Sequence, residues 1–260
     1  HHYDWCNLIE SLNSVPDVKA RLIDQPLTEK ALKRSITAIT DVTDVISQEV
    51  QDQYEENPYP RWVQALTAPE RVTLQEWAKA SGHNIDFEAL PRNTGLEILI
   101  AGCGTGIHPI EVASRYVDCE ILAVDLSRTS LAYAQRTADE MGIENISFRL
   151  ADILRLDQLD SLFDIIESVG VLHHTGNPFE SWQVLTRLLK PGGMMKIGLY
   201  SELARAHIVE IRQEIKSQGL GTSADHIKNF RQSLIQSTET HHQLLSHSVD
   251  FFSVSALRDL

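Results

Sequence analysis

The sequence predicts a doubly wound, mostly parallel α/β sheet with helical segments before and after it. Three observations carry this. An apolar run over 96–101 ends in glycines at every second position, Gly102, Gly104 and Gly106, and an amphipathic segment starts at Ile107. Strand-like and helix-like segments then alternate as far as Tyr200, the pattern of parallel strands covered on both faces. The stretches on either side of this region show helical spacing instead. A buried strand feeding a tight glycine turn and a helix is a layout that holds nucleotide-like ligands, because a backbone without Cβ can turn sharply and approach closely.

The expected organisation has three parts: a helical cap and aromatic loop over 1–92, an α/β core over 93–200, and a helical insertion over 201–260. Residues 3 to about 56 read as helical, with Ile36, Ile39, Val42, Val45, Ile46 and Val50 at intervals of mostly three or four, and with Pro16 and Pro26 as breaks. Pro58 and Pro60 bracket Tyr59 and force an extended loop. Tyr59, Arg61 and Trp62 there either pack on the core or cover a ligand. A helix holding Leu74 and Trp77 and a connection marked by Gly, Asn and Pro lead to the first strand.

That strand is placed at 96–101 and its helix at about 107–117. A second strand over 120–124 ends at Asp125, and a helix over about 128–141 follows, with Ser127 as N-cap and Gly142 as stop. The third strand covers 146–150 and the fourth 163–169. A helix at roughly 178–189 stops at Lys190-Pro191-Gly192-Gly193, and 194–200 forms the fifth strand. After Ser201 the chain reads as helical, with Ile208, Ile211 and Ile215 on one face and a break at Gly219 and Gly221.

Composition narrows the partners. Acidic residues (36) outnumber basic ones (23), for a net charge of −13, which disfavours attraction to nucleic-acid phosphates or anionic lipid. No apolar stretch approaches the roughly 20 residues of a membrane span, and no signal-peptide pattern opens the chain. Cys6, Cys103 and Cys119 lack metal-ligand spacing and read as free thiols of a reducing cytoplasm. His1 and His2 have the look of a purification-tag remnant and are set aside. His207, His226, His241, His242 and His247 show no ligand arrangement; His241 and His242 are adjacent, and on a helix they face different directions, so no metal is expected.

The glycine spacing separates two ligand classes. The dinucleotide fingerprint G-x-G-x-x-G requires glycine at 107, where the chain has Ile107; what is present is G-x-G-x-G. With Asp125 ending the second strand, Ala151-Asp152-Ile153 after the third, the run Glu167-Ser-Val-Gly-Val-Leu-His-His174 and the Lys-Pro-Gly-Gly turn, residues 96–200 resemble the class I S-adenosylmethionine-dependent methyltransferases, of the type 11/12 kind with a Rossmann-like sheet. The segment Tyr54-Glu-Glu-Asn-Pro-Tyr-Pro-Arg-Trp62 is similar to one in some bacterial methyltransferases, including forms fused to tetratricopeptide repeats.

The resemblance implies S-adenosyl-L-methionine as cofactor. Ala101, Gly102, Cys103, Gly104 and Gly106 would hold its methionine part, Asp125 and Leu126 its ribose, and Asp152 and Ile153 its adenine, with Ser168 in the same pocket. Tyr54 and Arg61 would close over it, Arg61 as a bidentate partner of the methionine carboxylate. His173 and His174, just past the fourth strand, are candidate general bases or pocket-lining residues, and Glu167 is a candidate base or acceptor-orienting carboxylate. Tyr59 and His173 are expected to meet the acceptor.

Two features depart from the family: Ile100 stands where an acid is common, and the two antiparallel strands that normally end the sheet are not visible before Leu260, as expected of a fragment. The absence of an Asn-Pro pair over 167–170 argues against nucleobase or glutamine-amide methylation by the usual route. A small-molecule or protein acceptor is expected, with no strong sign of nucleic acid and no membrane; the oligomeric state is not readable. An NAD(P)-dependent oxidoreductase and a non-catalytic cofactor-binding scaffold are the competing readings.

Overall fold

The computed structural model describes residues 14–82, 85, 86, 88, 94–221, 223–248, 251–253 and 257. The expectations for 3–13, for most of the connection over 83–93 and for the end of the chain lie outside these. Five parallel strands form one sheet: β1 (Leu96–Ala101), β2 (Cys119–Asp125), β3 (Ile146–Leu150), β4 (Phe163–Val169) and β5 (Leu189–Gly198), in the order β3-β2-β1-β4-β5. The order runs outward from β1 in both directions, so the switch point lies between β1 and β4, where open α/β sheets bind ligands.

Ten α-helices surround the sheet among the described residues: α1 (Pro16–Lys19), α2 (Gln25–Ser35), α3 (Val45–Glu56), α4 (Leu74–Ala80), α5 (Ile107–Arg115), α6 (Arg128–Glu140), α7 (Pro178–Arg187), α8 (Ala206–Ser217), α9 (Ala224–Gln236) and α10 (Thr240–Ser246). A π-helical stretch, Ala20–Asp24, joins α1 to α2. β1 is buried on both faces and alternates between two cores. Leu96, Ile98 and Ile100 join Ile110, Leu131, Ala134 and Phe148, while Leu99 and Ala101 join Leu156, Val184 and Leu185.

Local chemistry sets the element ends. The Ser127 hydroxyl caps α6 by accepting from Ser130 N, and Gly142, at φ 66°, closes it. α5 stops at Arg115, two residues short of the expected end, because Tyr116 turns extended and bridges to Val72. The Lys-Pro-Gly-Gly stretch is not a turn ahead of the last strand but part of β5. Leu189 pairs with Phe163 and Met194 with Ile165, so residues 190–193 bulge from the ladder. Lys190 Nζ there meets Asp164 Oδ2 at 3.0 Å and Glu97 Oε2 at 2.5 Å.

The segment before β1 is bonded into the sheet. Ile39 N–H donates to Leu150 O at 2.9 Å and Leu150 N–H to Thr37 O at 3.0 Å, extending the sheet beyond β3. The end of α3 docks on the start of α6: the Glu55 carboxylate accepts from Arg128 N at 2.5 Å and Thr129 Oγ1 at 2.6 Å, an anion placed at a helix N-terminus. After β5, α8–α10 pack on one another around Ile208, Ile211, Ile227, Leu234 and Leu245.

Candidate functional site

The glycine turn is packed from two sides. A Cβ on Gly102 (φ 80°) would lie 2.4 Å from the Val171 side chain, and one on Gly106 (φ 89°) 2.4 Å from Ala134 Cβ. Gly102 therefore lets the β1 turn meet the β4 loop, and Gly106 lets α5 start against α6. Gly104 N–H donates to Asp125 Oδ2 at 2.8 Å, while Ser127 N–H donates to Oδ1 at 2.9 Å. Burial raises the Asp125 pKa, and these backbone donors oppose the rise.

A cavity of about 290 Å³ opens at the carboxyl ends of the strands, near the lower end of the usual ligand-pocket range. The structure brings Tyr54, Tyr59, Gly102, Cys103, Gly104, Asp125, Leu126, Asp152, Ile153 and His174 to its wall, as expected from sequence. Asp152 Oδ1 accepts from Leu154 N at 3.0 Å, while its buried Oδ2 has no well-formed hydrogen bond. Burial raises its pKa as well. Burial and the nearby Asp125 hold the Cys103 thiol well above its usual range, so it is not a thiolate nucleophile.

Several expected residues are elsewhere. Arg61 does not reach the cavity: its guanidinium pairs with Glu29 Oε2 at 2.9 Å and lies 5.4 Å from the centre of the Tyr133 ring. Ala101 and Ser168 lie inside the sheet, where the Ser168 hydroxyl donates to Ala101 O at 2.9 Å. Gly106 serves helix packing rather than the wall.

Glu167 is not poised as a base. It is buried and pairs with His108 Nε2 at 2.7 Å, Lys196 Nζ at 3.1 Å and Arg115 Nη1 at 3.6 Å. Burial pushes its pKa up, but the His108 and Lys196 interactions prevail and bring it down to about 2. His173 sits behind the wall, its ring centre 4.2 Å from those of His174 and Tyr200. Among the described residues, neither of its buried nitrogens has a hydrogen-bond partner. Burial first, then His174, Arg205 and Arg212, lower its pKa to about 4 and keep it neutral.

Sequence reasoning missed His108, Thr175 and Tyr200, which line the cavity. His108 follows the glycine turn within the first turn of α5, a position that was available as a signal. It also missed the hold of the aromatic loop on the turn. Thr105 Oγ1 donates to Pro60 O, the carbonyl after the cis Tyr59–Pro60 bond, and Trp62 Nε1 donates to Thr105 O at 3.0 Å. Ile100 is fully buried beside Glu167 in the β1–β4 register.

Comparison with known proteins agrees with this geometry. A family model described as a methyltransferase domain matches residues 92–245. An uncharacterized protein of Synechococcus sp. is 32% identical over 173 residues, covering 66% of this chain and 41% of the relative, so the chain spans well under two thirds of that protein's length. An uncharacterized protein of Rickettsia prowazekii is 27% identical over 183 residues, covering 68% and 70%. Among solved structures, PKMT2 from Rickettsia typhi superposes with a TM-score of 0.47 at 23% identity, covering 72% of this chain and 36% of that one. The glycine turn, the paired acids and the family match over 92–245 lead to one conclusion: the chain belongs to the methyltransferase-domain family.

Proposed function

We propose that this chain binds S-adenosyl-L-methionine in the cavity at the switch point and transfers its methyl group to a small-molecule acceptor. The observation that carries the reading is the placement of Asp125 and Asp152 at the carboxyl ends of adjacent strands, on the wall of the cavity that the glycine turn borders. The fit is chemical. Asp152 Oδ2, which makes no well-formed hydrogen bond among the described residues, suits an amino-group donor, Asp125 suits a pair of hydroxyls, and Gly104, where a Cβ would meet only Tyr59 O at 3.6 Å, leaves space for a ligand at the turn.

The cofactor supplies an electrophilic methyl on a positively charged sulfur, so transfer is a direct in-line displacement. The protein's tasks are alignment and exclusion of water. Val50, Tyr54 and Tyr59 close one side of the cavity, and Val169, Val171 and Tyr200 the other. His174 is the lining imidazole on the β4 side, and in this reading it takes the proton when the acceptor is protonated. Neutral His173 backs it through ring contact.

A small acceptor is favoured over a protein by the apolar, recessed wall. Relatives named for small-molecule chemistry support it: a probable tetrahydroprotoberberine N-methyltransferase of Papaver bracteatum is 30% identical over 108 residues, and a ubiquinone biosynthesis O-methyltransferase of Leptothrix cholodnii 29% over 119. No helix among the described residues is long and apolar enough to cross a membrane, and a cytoplasmic setting is part of this reading. Calorimetry with S-adenosylmethionine, its demethylated product and NAD tests it. The two sulfur compounds should bind and NAD should not; NAD binding alone would sink the assignment. Cofactor binding with no methylation across a panel of phenols, amines and thiols would point to a scaffold.

A further inference from the structure

Away from the cavity, two helices of the segment after β5 bring three metal-ligating side chains together. Glu214 lies in the third turn of α8, and His241 and His242 follow one another in α10. Sequence spacing had the two histidines facing apart. A rotation of about 100° between neighbours still lets both imidazoles reach one carboxylate from adjacent sides. His241 Nε2 lies 2.5 Å from Glu214 Oε1 and His242 Nε2 2.7 Å from Oε2, with the ring centres 4.2 Å apart.

We propose that Glu214, His241 and His242 form a zinc-type divalent metal site that joins α8 to α10. The other nitrogen of each ring carries the argument. His242 Nδ1 lies 2.7 Å from Ser237 Oγ, and His241 Nδ1 3.4 Å from Glu210 Oε2, one turn before Glu214 on α8. When the oxygen at Nδ1 accepts the ring hydrogen, the Nε2 lone pair faces Glu214, the orientation that outer carboxylates and hydroxyls impose on metal-bound histidines. Two imidazole nitrogens and a carboxylate thus converge on one point; without metal, ring hydrogens on Nε2 bridge them to Glu214, and a metal ion would take the place of those hydrogens.

Donor type and spacing select the ion. Two imidazole nitrogens and one carboxylate oxygen match Zn²⁺ and its transition-metal neighbours and disfavour Mg²⁺ and Ca²⁺, which prefer oxygen. The three donor atoms lie within 4.8 Å of one another. Ligands about 2.1 Å from a tetrahedral ion sit about 3.4 Å apart, so the two His–Glu214 contacts, at 2.5 and 2.7 Å, open by less than one ångström on loading. Any proton shared on the Nε2 side leaves to solvent as the metal enters. The fourth position is left to water.

The site acts as a clamp. α8 follows Arg205, whose guanidinium lies 3.8 Å from the centre of the Tyr200 ring on the cavity wall. Fixing α10 against α8 therefore steadies the layer beside the cavity without touching the reacting groups.

The test is titration of the whole chain with zinc chloride by calorimetry, with His1 and His2 replaced by serine so that the terminal pair cannot bind. One zinc per chain is expected, with Mg²⁺ giving no heat at the same concentration. Glu214→Gln and His242→Ala should each weaken zinc binding about tenfold or more. Zinc should raise the melting temperature of the parent protein and leave that of the Glu214→Gln variant unmoved; unchanged S-adenosylmethionine binding confirms that this variant is folded. Absence of stoichiometric zinc binding, or equal affinity in parent and both variants, overturns the proposal.

Discussion

Gly104 and Asp125 are joined by a 2.8 Å hydrogen bond from the backbone of the β1 turn to the carboxylate ending β2. One side chain thus shapes the turn and presents itself to the cavity. Asp125→Ala removes both effects. Charge-assisted hydrogen bonds contribute about 1.5–3 kcal/mol each, so S-adenosylmethionine affinity should fall about tenfold or more by calorimetry. Affinity equal to the parent's would remove Asp125 from the cofactor site.

Gly106 and Gly142 both have positive φ, but only Gly106 is crowded, with Ala134 Cβ 2.4 Å from where its own Cβ would stand, against open space at Gly142. Gly142→Ala should cost about 1 kcal/mol of backbone strain, and Gly106→Ala about 1–3 kcal/mol more from overpacking. Urea unfolding midpoints measure the difference; equal losses would show that α6 shifts to accommodate the methyl group.

Glu167 contributes through its charge. Its pKa falls from an ordinary 4.5 to about 2 on folding, so its stabilisation is present above about pH 4.5 and is lost as the pH drops towards 2. At 1.36 kcal/mol per pH unit the effect is about 3 kcal/mol. Glu167→Gln should be less stable than the parent by about that amount at pH 7, with the gap constant to about pH 5 and narrowing below. A gap that widens in acid would assign the opposite sign to the His108–Glu167–Lys196 cluster.

Arg61 and Arg136 share Glu29 but differ in burial. Arg61 is half exposed at 2.9 Å from the carboxylate, whereas buried Arg136 pairs with Glu29 at 3.0 Å and with Glu140 at 2.6 Å. Arg61→Ala should cost about 0–1 kcal/mol and leave cofactor affinity unchanged. Arg136→Ala should cost more, up to about 3 kcal/mol, because buried Glu29 keeps only the half-exposed Arg61 as its partner. A large loss of cofactor affinity in Arg61→Ala would mean that the loop rearranges around the ligand.

The strands and the glycine turn were legible because their signals are local. β1, β3 and β4 fall on the expected residues, since apolar runs bounded by turn residues fix both ends. Asp125 and Asp152 were legible for the same reason, the one ending β2 and the other following β3 by two residues. What stayed hidden depends on pairing between distant residues. The role of Glu167 is set by His108, 59 residues before it, and that of Arg61, in the aromatic loop, by Glu29 on α2. The strand register that turns the Lys-Pro-Gly-Gly stretch into a bulge is a property of β4 as much as of β5. The meeting of His241 and His242 on Glu214 likewise exists only once α8 and α10 are packed.

Asp152 donates its backbone N–H to Thr40 Oγ1 at 2.8 Å, across 112 residues of chain. During synthesis on the ribosome, the Thr37–Thr40 segment emerges long before the β3 strand beside which it settles. It has no docking place until Leu150 and Asp152 have left the exit tunnel. The wall on the Asp152 side is thus completed by residues translated early, and the opposite wall, from Val169 to Tyr200, is translated only after β3.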